Sequence, residues 1–206
     1  MGSLSFQLPA SSFPQSRRSR TAADVFFDRL NCPVGRHILH KMAIKDALLP
    51  EFDHEMGTTR RLLERAPEAE FAWKPHDKSF SLGQLAGHIA HIPHWVDAIL
   101  QNTVYDIQSA GDTRPKNPPT LADLVAQFDK NVAAARSGIA ATGDSEMMAP
   151  WTFKSGGHVV FTLPRAAALR SFILNHMIHH RGQLSVYLRL KNVPLPSIYG
   201  PTADEQ

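Results

Sequence analysis

The stretch SLGQLAGHIAHIPHWVDAIL, residues 81–100, decides the fold. Ser81 with Gln84 three residues later is a capping box, in which hydroxyl and amide each satisfy a free backbone N–H at a helix start. Behind it Leu82, Leu85, Ile89, Ile92, Val96 and Ile99 recur at spacings of three and four, the stripe of an amphipathic helix. Pro93 interrupts the pattern and predicts a kink. On a wheel of about 100° per residue with Leu85 at zero, His88 falls near −60°, at the edge of the stripe. His91 and His94 fall on the outward side.

Three further segments carry the same period. Upstream, Ile44–Glu64 presents Leu48, Leu49, Phe52, Met56, Thr59, Leu62 and Leu63 on one face. Asp53, Glu55, Arg60, Arg61 and Arg65 are expected on its flanks and outside, and Pro67 marks its end. Ala66–Phe80 reads as a packed loop. Downstream, Asp106–Pro119 reads as a loop rich in Gly, Asp, Asn and Pro. Thr120 with Asp123 then opens a segment faced by Leu121, Leu124, Val125, Phe128, Val132 and Ile139. Trp151–Leu163 holds Gly156-Gly157 between two short β-prone runs and predicts a small hairpin or loop. The last segment starts beside Pro164, runs to about Lys191 and stops before Pro194. Val193–Gln206 should pack as irregular chain. Four long amphipathic helices with short to medium connections predict an all-α four-helix bundle over residues 42–206.

Residues 1–41 read differently. Met1–Ala23 has no acidic residue, six serines and the closely set Arg17, Arg18 and Arg20. So little apolar content cannot repay ordering, so a disordered extension is expected. A start codon assigned too far upstream fits as well, because Met42 opens the helical pattern, and an organellar transit peptide is the alternative. Asp24–Leu30 could form a short helix.

Composition removes whole classes. With 43% apolar and 20% charged residues the chain is an ordinary globular one, not a fibrous or fully disordered one. A net charge of +3 is too mild to argue for nucleic acid. No run approaches the roughly 20 apolar residues of a membrane helix, so a soluble, cytoplasmic chain is expected. The single cysteine, Cys32, excludes a disulfide framework and any Cys-rich zinc fold.

Eleven histidines are the anomaly, and eight fall in Phe71–Trp95 and His158–His180. In the last segment an unbroken wheel centred on His176 sets Leu169, His180, Gln183 and Tyr187 within about 40° of it. His176 and His180 then stand one turn apart in an inward stripe, close enough to share one metal ion. A lone inward histidine is commonly a hydrogen-bonded core residue. Two at this spacing, joined by His88 from another helix, favour metal. Three neutral imidazoles suit zinc, nickel or iron(II), and three protein ligands leave a coordination position open. Asn175, Arg181, Gln183 and Tyr187 are polar candidates to support the ligands, Gln183 and Tyr187 from the same face. Glu55 and Thr59 are candidates to reach the pocket. His37, His40, His54, His76 and His158 read as solvated or locally bonded.

The string at 81–91 resembles the second-helix motif of the DinB family, and NHMIHHRGQ, residues 175–183, resembles its last-helix motif. The opening IKDALLPEFDHEM, residues 44–56, and the ending VPLPSIYGPTADE, residues 193–205, are similar to its first helix and to the close of one branch. The resemblance implies a four-helix bundle, a divalent metal on His88, His176 and His180, and a homodimer. Relatives implied by it include thiol S-transferases that use low-molecular-weight thiols, and maleylpyruvate isomerases. The leading expectation is therefore a metal-dependent thiol transferase acting on a small molecule. A metal-dependent hydrolase and a non-catalytic metal-binding stress-response module are the alternatives.

Overall fold

The structure, a computed structural model, describes residues 42–110 and 116–205. The expectations for residues 1–41, including the extension and the helix at Asp24–Leu30, lie outside the described residues. Helix α1 spans Ile44–Leu63 and tolerates Pro50 near its start. A 3₁₀ turn, Glu68–Glu70, follows in the packed loop, where Phe71 is buried. Helix α2, Leu82–His91, opens on the expected box: the Gln84 N–H donates to Ser81 Oγ at 3.1 Å, and the Ser81 N–H donates to Gln84 Oε1 at 2.9 Å. Pro93 produces a break rather than a smooth kink. Ile92–His94 is a 3₁₀ turn, and α3, Trp95–Gln101, continues beyond it.

Helix α4, Leu121–Ala141, is capped by the Thr120 hydroxyl, which accepts from the Asp123 N–H at 3.0 Å. A short helix α5, Asp144–Met147, leads into the hairpin β2, Pro150–Ser155, and β3, His158–Pro164. The last segment is composite: α6, Arg165–Ala168, then a π-helical stretch, Leu169–Leu174, then α7, Asn175–Leu190. Helix α4 packs on α1, α2 and α3, while α7 packs on α1 and α2. The molecule is thus mostly helical, its core filled by Phe52, Leu62, Leu85, Ile89, Phe128, Leu184 and their neighbours.

The all-α expectation needs correction at the sheet. A strand that was not expected, β1, Val104–Asp106, runs into the start of the expected Asp106–Pro119 loop and pairs parallel with β2, giving a three-stranded sheet in the order β1-β2-β3. Its anchor is electrostatic. Asp106 accepts from the N–H groups of Gly156 and Gly157 at 2.9 and 2.6 Å. Both glycines take positive φ, +60° and +81°, which a tight hairpin turn needs and other residues resist. Trp151, fully buried, donates from Nε1 to the Ala98 carbonyl and fastens the sheet to α3. No helix among the described residues is long and apolar enough to cross a membrane.

Candidate metal centre

Helices α2 and α7 bring three histidines together. His88 Nε2 lies 3.3 Å from His176 Nε2, which lies 2.9 Å from His180 Nε2. The three ligand atoms fall within 4.8 Å of one another, and among the described residues no carboxylate or thiol joins the group. His91, His94 and His179 are exposed, as are His54, His76 and His158. His37 and His40 lie outside the described residues.

The donor set fits a divalent ion. His180 donates from Nδ1 to Gln183 Oε1 at 2.7 Å, so its Nε2 carries a bare lone pair. His176 Nε2 faces that lone pair and the His88 ring together, and one proton cannot serve both. His176 Nδ1 is buried and makes no hydrogen bond of good geometry; its polar neighbour is the Phe172 carbonyl one turn back. A cation at the convergence point resolves the frustration. Two nitrogens about 2.0–2.1 Å from one tetrahedral zinc stand about 3.3 Å apart, near the spacing seen here.

Position on the helix differs from expectation. The buried side chains of α7 are Met177, Arg181, Leu184 and Leu188, while His176 and His180 are half-buried and Gln183 is exposed. The histidines therefore line a rim beside the core stripe, not its middle. The π-helical stretch explains the error. An unbroken wheel puts Leu169 about 20° from His176; one extra residue turns it by about 100°, onto the side of Met177 and Leu184. Leu169 is indeed buried.

Aromatic rings hold the rim. Trp95 stacks on His176 with centroids 5.7 Å apart and planes within 6°. It also meets His88 edge-on at 5.7 Å, and Phe172 lies 5.9 Å from His176. Trp95 was not singled out from the sequence, although it follows His88 by two helical turns. Tyr187 does not support a ligand. Its hydroxyl donates to the Phe80 carbonyl at 3.3 Å and its ring meets Trp73 edge-on, so it fastens the loop bearing Phe80. Asn175 is exposed.

Glu55, Thr59 and Arg181 also depart from expectation. Glu55 is 5% exposed, not on the outside of α1, and Arg181 is 1% exposed. Arg181 Nη2 pairs with Glu55 Oε2 at 2.7 Å, and Nη1 donates to the Glu55 carbonyl and to Thr59 Oγ1 at 3.2 and 3.3 Å. Tyr199, from the C-terminal segment, donates its hydroxyl to the same carboxylate at 2.9 Å. Glu55 and Thr59 are thus committed to Arg181 rather than to the histidines.

Burial pushes His88 down to about 3 and His176 to about 4, and lowers His180; neighbouring imidazoles act in the same direction on each. Neutral rings are the form a metal requires. The sign for stability follows. Unfolded imidazoles take up protons near pH 6.5, whereas the folded ones resist until about pH 4 and below. For protein stripped of metal by a chelator, the melting temperature is expected to hold above about pH 6.5 and to fall steadily from there towards pH 4. A flat profile across that window, by calorimetry, contradicts the assignment. Gln183→Leu is a second test at the rim. It should weaken metal affinity by about 10–100-fold, read by competition with a chromophoric chelator, and leave the stripped protein's melting temperature unchanged.

The DinB superfamily model matches residues 51–184. An uncharacterized protein of Bacillus subtilis strain 168, YrdA, is 24% identical over 163 residues, covering 78% of this chain and 90% of its own. The crystal structure of a DinB-like protein from Bacillus cereus ATCC 10987 superposes with a TM-score of 0.56 at 20% identity, covering 76% of this chain and 98% of that one. That of the DinB-like protein YjoA from Bacillus subtilis does so with 0.57 at 16% identity, covering 78% and 99%. With the family match spanning most of the described residues and the helices superposing on those structures, the chain belongs to the DinB superfamily.

Proposed function

We propose that this chain holds a divalent metal ion on His88, His176 and His180 and uses it as an enzyme of the thiol S-transferase type. The observation that carries the reading is the convergence of three Nε2 atoms at the rim of the fold. Zinc, nickel and iron(II) suit such a set, and an ion held there by His88, His176 and His180 would supply Lewis acidity that favours the ionised form of a bound thiol.

The chain's own residues do the rest. Gln183 fixes the tautomer of His180, and Trp95 fixes the plane of His176. Tyr187 holds the Phe80 loop against the same rim. In the reaction a thiol loses its proton to solvent and its sulfur forms a carbon–sulfur bond with an electrophile. The leaving group departs with the electron pair. Proton loss to solvent needs no base among the three histidines, which are themselves the only members of the cluster among the described residues. Hydrolysis is less well supported, because Glu55, the carboxylate closest in sequence expectation, is locked to Arg181.

The test is elemental analysis of untagged protein beside His176→Ala, followed by thiol consumption with a panel of electrophiles. Stoichiometric metal and turnover, both lost in the variant, support the reading. Metal-dependent melting without turnover would leave a metal-binding module, and turnover unchanged in the variant would remove the site from the chemistry. The same reading includes a four-helix arrangement working as a cytoplasmic homodimer. What supports the dimer is the outward face of α7, where Val186 and Leu190 stand exposed. Sedimentation velocity tests it.

A further inference from the structure

Six aromatic rings run unbroken from the histidines onto the sheet. Trp95, stacked on His176, lies 5.3 Å from Phe172. Phe172 lies 4.9 Å from Phe153 and 6.3 Å from Phe161, and 5.8 Å from Trp151. Phe153 and Phe161 face each other across β2 and β3 at 5.4 Å, and Tyr105 on β1 stacks on Phe153 at 6.3 Å. A core cluster would close over all of them. Here only Trp95 and Trp151 are buried, while Tyr105, Phe153, Phe161 and Phe172 are half-buried at the edge of the core. Leaving part of four rings in water forgoes some hydrophobic stabilisation and keeps an apolar surface open beside the histidines.

Backbone irregularities stand at two of these rings. The β2–β3 register shifts between Phe153 and Lys154, and Phe172 sits in the π-helical stretch. Each device adds a residue that redirects a side chain, and both occur preferentially beside functional sites. An irregular strand pair and a π-helical turn thus stand where Phe153 meets Phe172, and Phe172 in turn lies against His176.

We propose that Tyr105, Phe153, Phe161 and Phe172 form a binding shelf for the aromatic or planar unsaturated group of a small molecule whose anionic donor atom reaches the three-histidine centre. The inference rests on the metal-binding reading above. Flat groups suit the shelf because rings spaced 5–6 Å from one another present offset and edge contacts rather than a deep hole. An anionic donor suits the centre because three neutral imidazoles leave the charge of a divalent ion uncompensated. Phe172 belongs to the shelf and also lies against His176 of the centre, so one molecule of modest size can touch both.

The test uses the full chain loaded with cobalt(II) and two hydroxamates that share a metal-binding head. Acetohydroxamate carries a methyl group and benzohydroxamate a phenyl ring. Each is titrated by the cobalt visible spectrum. Benzohydroxamate should bind at least about tenfold more tightly than acetohydroxamate. In Phe153→Ala, and separately in the gentler Phe161→Leu, the preference should shrink to within about threefold, with acetohydroxamate affinity and the cobalt spectrum of the free protein unchanged. Equal affinities for the two ligands in the unaltered protein, or a preference that survives both substitutions, overturns the shelf and leaves the metal centre standing. Failure of cobalt to bind, or of acetohydroxamate to change its spectrum, overturns the metal reading and the shelf with it.

Discussion

His176→Ala is expected to abolish metal retention. His176 Nε2 is the atom that faces both other ligands, at 2.9 and 3.3 Å, so its loss leaves two nitrogens on separate helices with nothing between them. The effect should exceed the roughly 10–100-fold loss that follows removal of a supporting hydrogen bond. Thermal melting gives a second reading. Free metal at about a thousand times its dissociation constant stabilises the folded chain by about 4.1 kcal/mol. For a chain of this length each kcal/mol moves the midpoint by about 2–4 °C, so chelation should lower it by roughly 8–16 °C. The variant should melt at one temperature with or without chelator. A variant that keeps a stoichiometric ion would show that the trio is not the binding site.

Arg181→Met should be the most damaging single change to stability. Its guanidinium and the Glu55 carboxylate are nearly water-free, at 2% and 7% side-chain exposure. Removing one member of such a pair strands the other and costs about 3–5 kcal/mol. Arg60–Asp129 and Arg136–Asp53 have similarly short contacts of 2.8 Å but lie in solvent, and each should be worth about 0–1 kcal/mol. Urea unfolding of Arg181→Met against Arg136→Met separates the two classes. The double variant Arg181→Met with Glu55→Leu should recover much of the loss, because an apolar pair of similar volume replaces the ions. A loss below about 1 kcal/mol in the single variant would mean that water already reaches the pair.

Both results bear on what the sequence can reveal. Local devices were legible: the Ser81–Gln84 box, the Thr120 cap, the Gly156-Gly157 turn and an interruption at Pro93, though not its form, each depend on neighbours a few residues away. The grouping of His88, His176 and His180 was legible because an i, i+4 pair and a histidine at the edge of a stripe survive moderate errors of phase. Long-range partners were not. Glu55 looks like a surface acid until Arg181, 126 residues later, is placed against it. Strand β1 is three residues long and exists through pairing with β2, nearly fifty residues on. The π-helical stretch leaves no periodic trace, since it breaks the very period used to find helices. It therefore shifted the inferred face of α7 and placed the histidines in the core instead of at its edge.

Tyr199 gives the end of the chain a job. Its ring lies over the Arg181 guanidinium, 5.0 Å from the centroid, and the residue is 65% exposed, yet its hydroxyl reaches the hidden carboxylate. The final peptide is therefore a stopper in the wall between α1 and α7. Clipping by a carboxypeptidase past that tyrosine, or a fusion partner that pulls the peptide away, would admit water to the ionic seal from outside. The histidine-bearing helix would loosen although no residue near the histidines had been touched.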